Sequence, residues 1–246
     1  MSRYKILIEY NGYHFKGWQR QKNGLSIQGS IESAIKKFSN EDVLVYGAGR
    51  TDAGVHANGQ VAHFELHKEF ETNVIKNAIN HFVKPYISVL HIEKVTQAFH
   101  ARFSAVKKRY IYKIINRDSQ LALMHNYAWL VKDKINVYHM KEAAQVLLGK
   151  HDFTSFRSAS CQSVNPVRTI DNINIEIYDE LVELQFEGKS FLHNQVRIMT
   201  GALKEIGIGK WDSAKLKSVL LAKDRKLGPV TAPPHGLYLN KIWYND

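Results

Sequence analysis

"VLVYGAGRTDAGVHANGQVAHFEL", residues 43–66, decides how this chain folds. Its two ends, "VLVYG" (43–47) and "GQVAHFEL" (59–66), read as strands. Between them Gly47, Gly49 and Gly54 share a short bend with Arg50 and Asp52. A nucleotide-binding glycine loop does not fit, because Asp52 stands where G-x-G-x-x-G requires its third glycine and no helix follows. A plain turn remains open, with the glycines leaving the strand, Asp52 capping the bend and Arg50 facing water. The combination favours a site. Glycines remove bulk where a backbone or ligand must come close, and the Arg and Asp project chemistry from the same bend. Such a carboxylate could be a base, a metal ligand or a nucleophile. No second acid lies nearby, which argues against paired-carboxylate glycosidase chemistry and against a two-metal centre.

Outward from this stretch the pattern is regular. "YKILIEY" (4–10) alternates as a half-buried strand, and Ile27, Ile31, Ala34, Ile35 and Phe38 recur at helical spacing after a Ser26 N-cap. Ile75, Ala78, Ile79 and Phe82 mark a second helix, capped near Thr72 or Asn73, and "YISVLHIE" (86–93) a further strand. The order β-α-β-β-α-β is that of a ferredoxin-like unit, with both helices on one face of an antiparallel sheet and the other face open for a ligand. The second half reads similarly with insertions. "RYIYKII" (109–115) is a strand, and Met140, Ala143, Ala144 and Leu147 mark a helix stopped by Gly149. Ile173, Ile175 and Ile177 face Val182, Leu184 and Phe186 across a turn at Asp179 and Glu180. Leu192, Val196, Met199, Leu203 and Ile206 form a helical stripe, a shorter helix starts near Asp212, and "GLYLNKIWY" (236–244) closes as a strand. The expected class is α+β. Two ferredoxin-like (RRM-like) halves, 1–104 carrying the Asp52 loop and 105–246, have antiparallel sheets flanking a central basic cleft.

Composition narrows the partner. Of 246 residues, 34 are Lys or Arg and 23 Asp or Glu, a net charge of +11 that favours a polyanion. No apolar run approaches the roughly 20 residues that span a bilayer, and no secretion signal precedes the first strand, so a cytoplasmic protein without membrane attachment is expected. Cys161 is the only cysteine, which excludes an internal disulfide and a cysteine-based zinc site. His63 and His67 are four apart but lie in a strand-like stretch, so no metal is expected.

"GAGRTDAGVHANGQVAHF" resembles the signature of the tRNA pseudouridine synthase A family. So, in the family's order, do "EYNGYHFKGWQRQKNGLSIQGSIE" (9–32), "FHARFSAVKKRYIYKI" (99–114), "VRTI" (167–170), "FLHNQVRIMTG" (191–201) and "APPHGLYL" (232–239). Thr200 stands where an aliphatic residue is usual, and Ile242 where Val is. The resemblance implies isomerisation of uridine to pseudouridine at positions 38, 39 and 40 of the tRNA anticodon stem-loop, by a homodimer and without a cofactor.

It also implies roles. Asp52 is the nucleophile and Arg197 its cationic partner; Arg197 falls on a polar helix strip with His193 and Gly201. Tyr110 is the pocket residue, while Tyr112, on the same strand face, reads as core packing. Arg50 fills the hole left by the flipped base, and Leu239 is either an apolar wall of the pocket or a core residue. Lys107, Lys108 and Arg109, with Arg102, Lys16, Arg20 and Lys22, would track phosphates, though each alone also fits a solvated charge. Two other readings compete. A non-catalytic RNA-binding module has no use for a carboxylate facing a polyanion, and a carboxylate-dependent hydrolase lacks its second acid.

Overall fold

The computed structural model describes residues 1–245. The chain divides into two compact units, Met1–Val106 together with the last strand from Tyr238, and Lys107–Leu237. The expected halves, 1–104 and 105–246, differ from this chiefly in that last strand, and Asp246 lies outside the described residues. The fold is α+β, mixing helices with mostly antiparallel sheet.

In the first unit β1 (Ser2–Tyr10) is followed by α1 (Ile27–Ser39), β2 (Tyr46–Gly47), β3 (His56–Leu66), α2 (Thr72–Val83) and β4 (Ile87–Val95). β1 lies between β4 and β3, antiparallel to both, and β2 joins the far side of β3 with Gly47 opposite Ala62. β11 (Leu237–Tyr244) pairs parallel with the start of β3, Tyr238 opposite His56 and Leu239 opposite Ala57, which ties the end of the chain to this unit. Alternation does the work along β1, where Tyr4, Ile6, Ile8 and Tyr10 are buried. Ile27, Ile31, Ala34 and Ile35 of α1 are buried too, and α1 packs on α2. Ser26 caps α1 as expected, its hydroxyl accepting the Gly29 N–H at 3.2 Å.

Three expectations need correction here. The strand read over 43–47 shrinks to Tyr46–Gly47, because side chains of α1 capture the Val45 backbone: Glu32 Oε1 accepts its N–H at 3.1 Å and Gln28 Nε2 donates to its carbonyl at 3.2 Å. α2 begins at Thr72 after Glu71, with no side-chain cap. The second sheet face is not open throughout. Phe99 and His100 pack on His63, and Lys5 lies over the rings of Phe99 and Tyr244.

In the second unit β5 (Ala105–Asn116) pairs antiparallel with β10 (Leu181–Gly188), which pairs with β9 (Asn172–Tyr178). β6 (Trp129–Val131) adds to β5 in parallel, and β7 (Gly149–Asp152) pairs with β8 (Val167–Ile170). The helices are α3 (Val137–Ala144), α4 (Gln195–Gly207) and α5 (Ser213–Ala222), the last capped by Asp212 as expected. α4 buries more than the single stripe read from sequence, since Ile198, Thr200 and Ala202 are buried as well. Thr200 tolerates this because its hydroxyl donates to the Val196 carbonyl at 2.9 Å.

Candidate active site

The turn that carries Asp52 is shaped by the residues around it. Gly47 is required by packing, because a Cβ there would lie 2.5 Å from two ring carbons of the buried Trp18. Gly54 is required by conformation, with φ at 78° in the left-handed region. Gly49 is held by one side chain at both of its backbone groups: Gln60 Nε2 donates to its carbonyl at 2.8 Å, and Gln60 Oε1 accepts its N–H at a longer 3.4 Å. Thr51 is held twice as well. Its carbonyl accepts the Trp18 N–H at 3.0 Å, and its hydroxyl meets the Tyr10 hydroxyl at 2.8 Å. Between and beyond these fixed points Arg50 is exposed and Asp52 half-buried. Leu239 is fully buried on β11, opposite Ala57 at the end of β3 that follows the turn.

The second unit holds the other expected residues. Arg197 lies in the first turns of α4, where its guanidinium Nε donates to the Ala232 carbonyl and Nη1 to Asn194 Oδ1, both at 2.8 Å. Asn194 has φ at 62°, so α4 begins after it, and His193 falls outside the helix and is exposed. The polar strip of His193, Arg197 and Gly201 therefore loses its first member. Tyr110 is 8% exposed and meets the Phe191 ring edge-on at 5.2 Å between centroids. Tyr112 is core, as read. Its hydroxyl donates to the Pro233 carbonyl at 2.8 Å, and burial holds that hydroxyl far above its ordinary pKa against the opposing charge of Arg197.

The basic run at 107–109 is not a row of solvated cations. Glu187, opposite Arg109 on β10, accepts from Arg109 Nε at 2.8 Å and from Lys107 Nζ at 3.3 Å, and Lys108 is 9% exposed. Burial pushes the Glu187 carboxyl up, and the two cations together outweigh that and hold it below the usual range. Arg102, Lys16 and Lys22 are exposed, while Arg20 pairs with Glu32 at 3.2 Å.

His63 is a packed histidine. Its Nδ1 accepts the Ala101 N–H at 3.2 Å, and its ring stacks on Tyr46 at 5.1 Å. Burial first, then the neighbouring His100 and Arg3, push it down to about 4. Among the described residues no three His, Cys, Asp or Glu side chains are grouped to hold a metal ion, and no helix is long and apolar enough to cross a membrane.

Sequence reasoning missed the groups that orient these side chains: Tyr10, Gln60, Asn194 and Glu187. Two left a signal. Asn194 stands three residues before Arg197, a spacing at which side chains around a helix start meet, and Glu187 follows from pairing β10 with β5. Gln60 is a polar residue on the face of β3 that pairs with the buried Ile8 of β1.

Against known proteins, the profile of the tRNA pseudouridine synthase family matches residues 6–104 and 143–245. The chain belongs to the tRNA pseudouridine synthase family. Over 244 residues the synthase is 52% identical to a protein of Ehrlichia canis (strain Jake) named tRNA pseudouridine synthase A, covering 98% of this chain and 100% of that one. The protein of that name from Ehrlichia chaffeensis is 49% identical over 244 residues, with the same coverage. The Brucella ovis protein is 47% identical over 247 residues, 99% of this chain and 98% of its own. Among solved structures, the archaeal box H/ACA sRNP Nop10-Cbf5 complex aligns over 82% of this chain and 43% of that one at TM-score 0.37 and 11% identity, a likeness too loose to bear on the reading.

Proposed function

We propose that the synthase isomerises uridine to pseudouridine at positions 38, 39 and 40 of the tRNA anticodon stem-loop, with Asp52 as nucleophile. The observation that carries this is the placement of Asp52, a half-buried carboxylate on a turn tied down just before it, beside the exposed guanidinium of Arg50. Family membership supplies the reaction, an isomerisation that makes pseudouridine in tRNA.

The chemistry breaks the bond between N1 and C1′, turns the uracil, and joins C5 to C1′; C5 gives up its proton and N1 takes one. Nothing is oxidised or reduced. Asp52 forms and then releases a covalent adduct with one of the two fragments, while the pocket retains the other as the base turns. Arg197, oriented by Ala232 and Asn194, is the cationic partner of the carboxylate. Tyr110 packs on the uracil and handles the proton at C5, and Leu239 closes the pocket with an apolar wall. Arg50 enters the gap in the stack, because a paired base must leave the helix before its glycosidic bond can be reached. Lys107, Lys108 and Arg109 contact phosphates, with Glu187 ordering Lys107 and Arg109.

Two ferredoxin-like halves around a basic cleft, paired as a cytoplasmic homodimer, complete the proposal. The strand order β4-β1-β3-β2 in the first unit supports the first of these halves.

The test is pseudouridine mapping at single-nucleotide resolution on an unmodified tRNA transcript, with wild type and Asp52→Ala and no cofactor or metal added. New pseudouridine at 38, 39 or 40 with wild type alone is the expected result. Modification elsewhere would overturn the position, and tight binding by both proteins without modification would turn the reading to an RNA-binding module.

A further inference from the structure

We infer that Gln60 and Tyr10 are positioning residues for the Arg50–Asp52 turn, so that the rate of the chemical step depends on a buried amide and a buried phenol that touch neither substrate nor reacting atoms. The inference rests on the reading of Asp52 as nucleophile.

Gln60 is fully buried in β3, where a polar side chain costs stability unless its bonds are made. It makes them to the turn. Its amide nitrogen donates to the Gly49 carbonyl at 2.8 Å and, more weakly, to the Tyr10 hydroxyl at 3.5 Å. Its oxygen accepts the N–H of Gly49 at 3.4 Å and of Val61 at 3.2 Å. Tyr10, 5% exposed on β1, meets the Thr51 hydroxyl at 2.8 Å. The Tyr10 and Thr51 hydroxyls share that bond, which either can donate, and Gln60 steadies the phenol oxygen from its other side. Burial pushes the Tyr10 pKa up, which keeps the phenol neutral.

One chain of side chains thus fixes Gly49, the residue before Arg50, and Thr51, the residue before Asp52. Both charged residues sit on irregular backbone, where nothing in the β ladder fixes their direction. A displacement of a nucleophile by about 1 Å can cost on the order of 10²-fold in rate while leaving substrate affinity in place. An apolar side chain at position 60 would fill the same space without setting that direction.

The experiment is single-turnover pseudouridine formation at saturating tRNA, with tRNA Kd and thermal midpoint measured on the same protein, for wild type, Gln60→Met, Tyr10→Phe and Asp52→Asn. Gln60→Met keeps length and volume and removes every side-chain bond; Tyr10→Phe keeps the ring and removes the hydroxyl. Expected is a fall in rate of about 10–100-fold for Gln60→Met and about 3–10-fold for Tyr10→Phe, with Kd within about 3-fold of wild type for both. Wild-type rate in folded Gln60→Met overturns the inference. So does a loss that appears in Kd and the folded fraction while the rate per folded molecule is unchanged. Should Gln60→Met fail to fold, Tyr10→Phe decides by the same two criteria. Asp52→Asn separates the two claims: turnover retained there refutes the nucleophile, whereas an inactive Asp52→Asn beside a fully active Gln60→Met refutes only the positioning.

Discussion

The turn at 47–57 carries the charged side chains of Arg50 and Asp52 and the start of α4 that of Arg197, and the two hold them in different ways. Asp52 sits on irregular backbone, fixed by groups distant in sequence: the Tyr10 side chain on β1, the Trp18 backbone N–H before α1, and the Gln60 side chain on β3. Arg197 sits on a regular helix, fixed by Asn194 three residues earlier and by one carbonyl, that of Ala232. A helix supplies most of the direction by its own geometry, and hydrogen bonds finish the aim. A turn has no such geometry and borrows its direction from the sheet on which it rests.

If the α4 side is an aimed fork, charge alone will not replace it. Arg197→Lys retains a cation but cannot bond Ala232 and Asn194 with a planar group, so kcat should fall about 10–100-fold with little change in tRNA Kd. An unchanged kcat would show that only the charge matters. On the turn side the corresponding lever is steric. Gly47→Ala puts a methyl into the ring of Trp18, a residue whose backbone N–H holds the Thr51 carbonyl, and should cost about 1–3 kcal/mol of stability together with part of the rate. Full stability in that variant would mean that Trp18 moves freely and does not brace the turn.

The smallest expected effect concerns pH. His63 is held neutral down to about 4, whereas an unfolded histidine takes a proton near 6.5. Its contribution to stability is therefore fully present above about pH 6.5 and lost as the pH falls through that window toward 4. His63→Asn, which keeps an acceptor for the Ala101 N–H, should reduce by a few degrees the drop in thermal midpoint between pH 7 and pH 5. An equal drop in both proteins would assign the acid sensitivity to other groups, such as His100 or His235, which burial also shifts down.

The same contrast explains what the sequence made legible. Periodicity located β1, α1, α2 and the β9–β10 hairpin, because in each buried side chains recur at the period of the element, and the Asp212 cap located α5. It failed where side chains compete for backbone. Glu32 and Gln28 take the Val45 peptide groups and shorten β2, and Asn194, in a left-handed conformation, delays the start of α4 past His193. The charged residues were visible in the motif blocks, but their environment was not. Lys107 and Arg109 read as free cations until β10 brought Glu187 opposite them. Gln60 read as one polar residue in a strand, since its partners, Gly49 and Tyr10, meet it only when three segments pack together.

The central claim is that a carboxylate at position 52 performs chemistry and does not merely hold the turn. Asp52→Asn preserves the shape of the side chain and removes its charge, so the direct test is pseudouridine formation by that variant under single turnover, with tRNA Kd measured on the same sample. The account requires a rate lower by about 10³-fold or more, with Kd within a few fold of wild type. Pseudouridine formed by Asp52→Asn at a rate near that of wild type would contradict it.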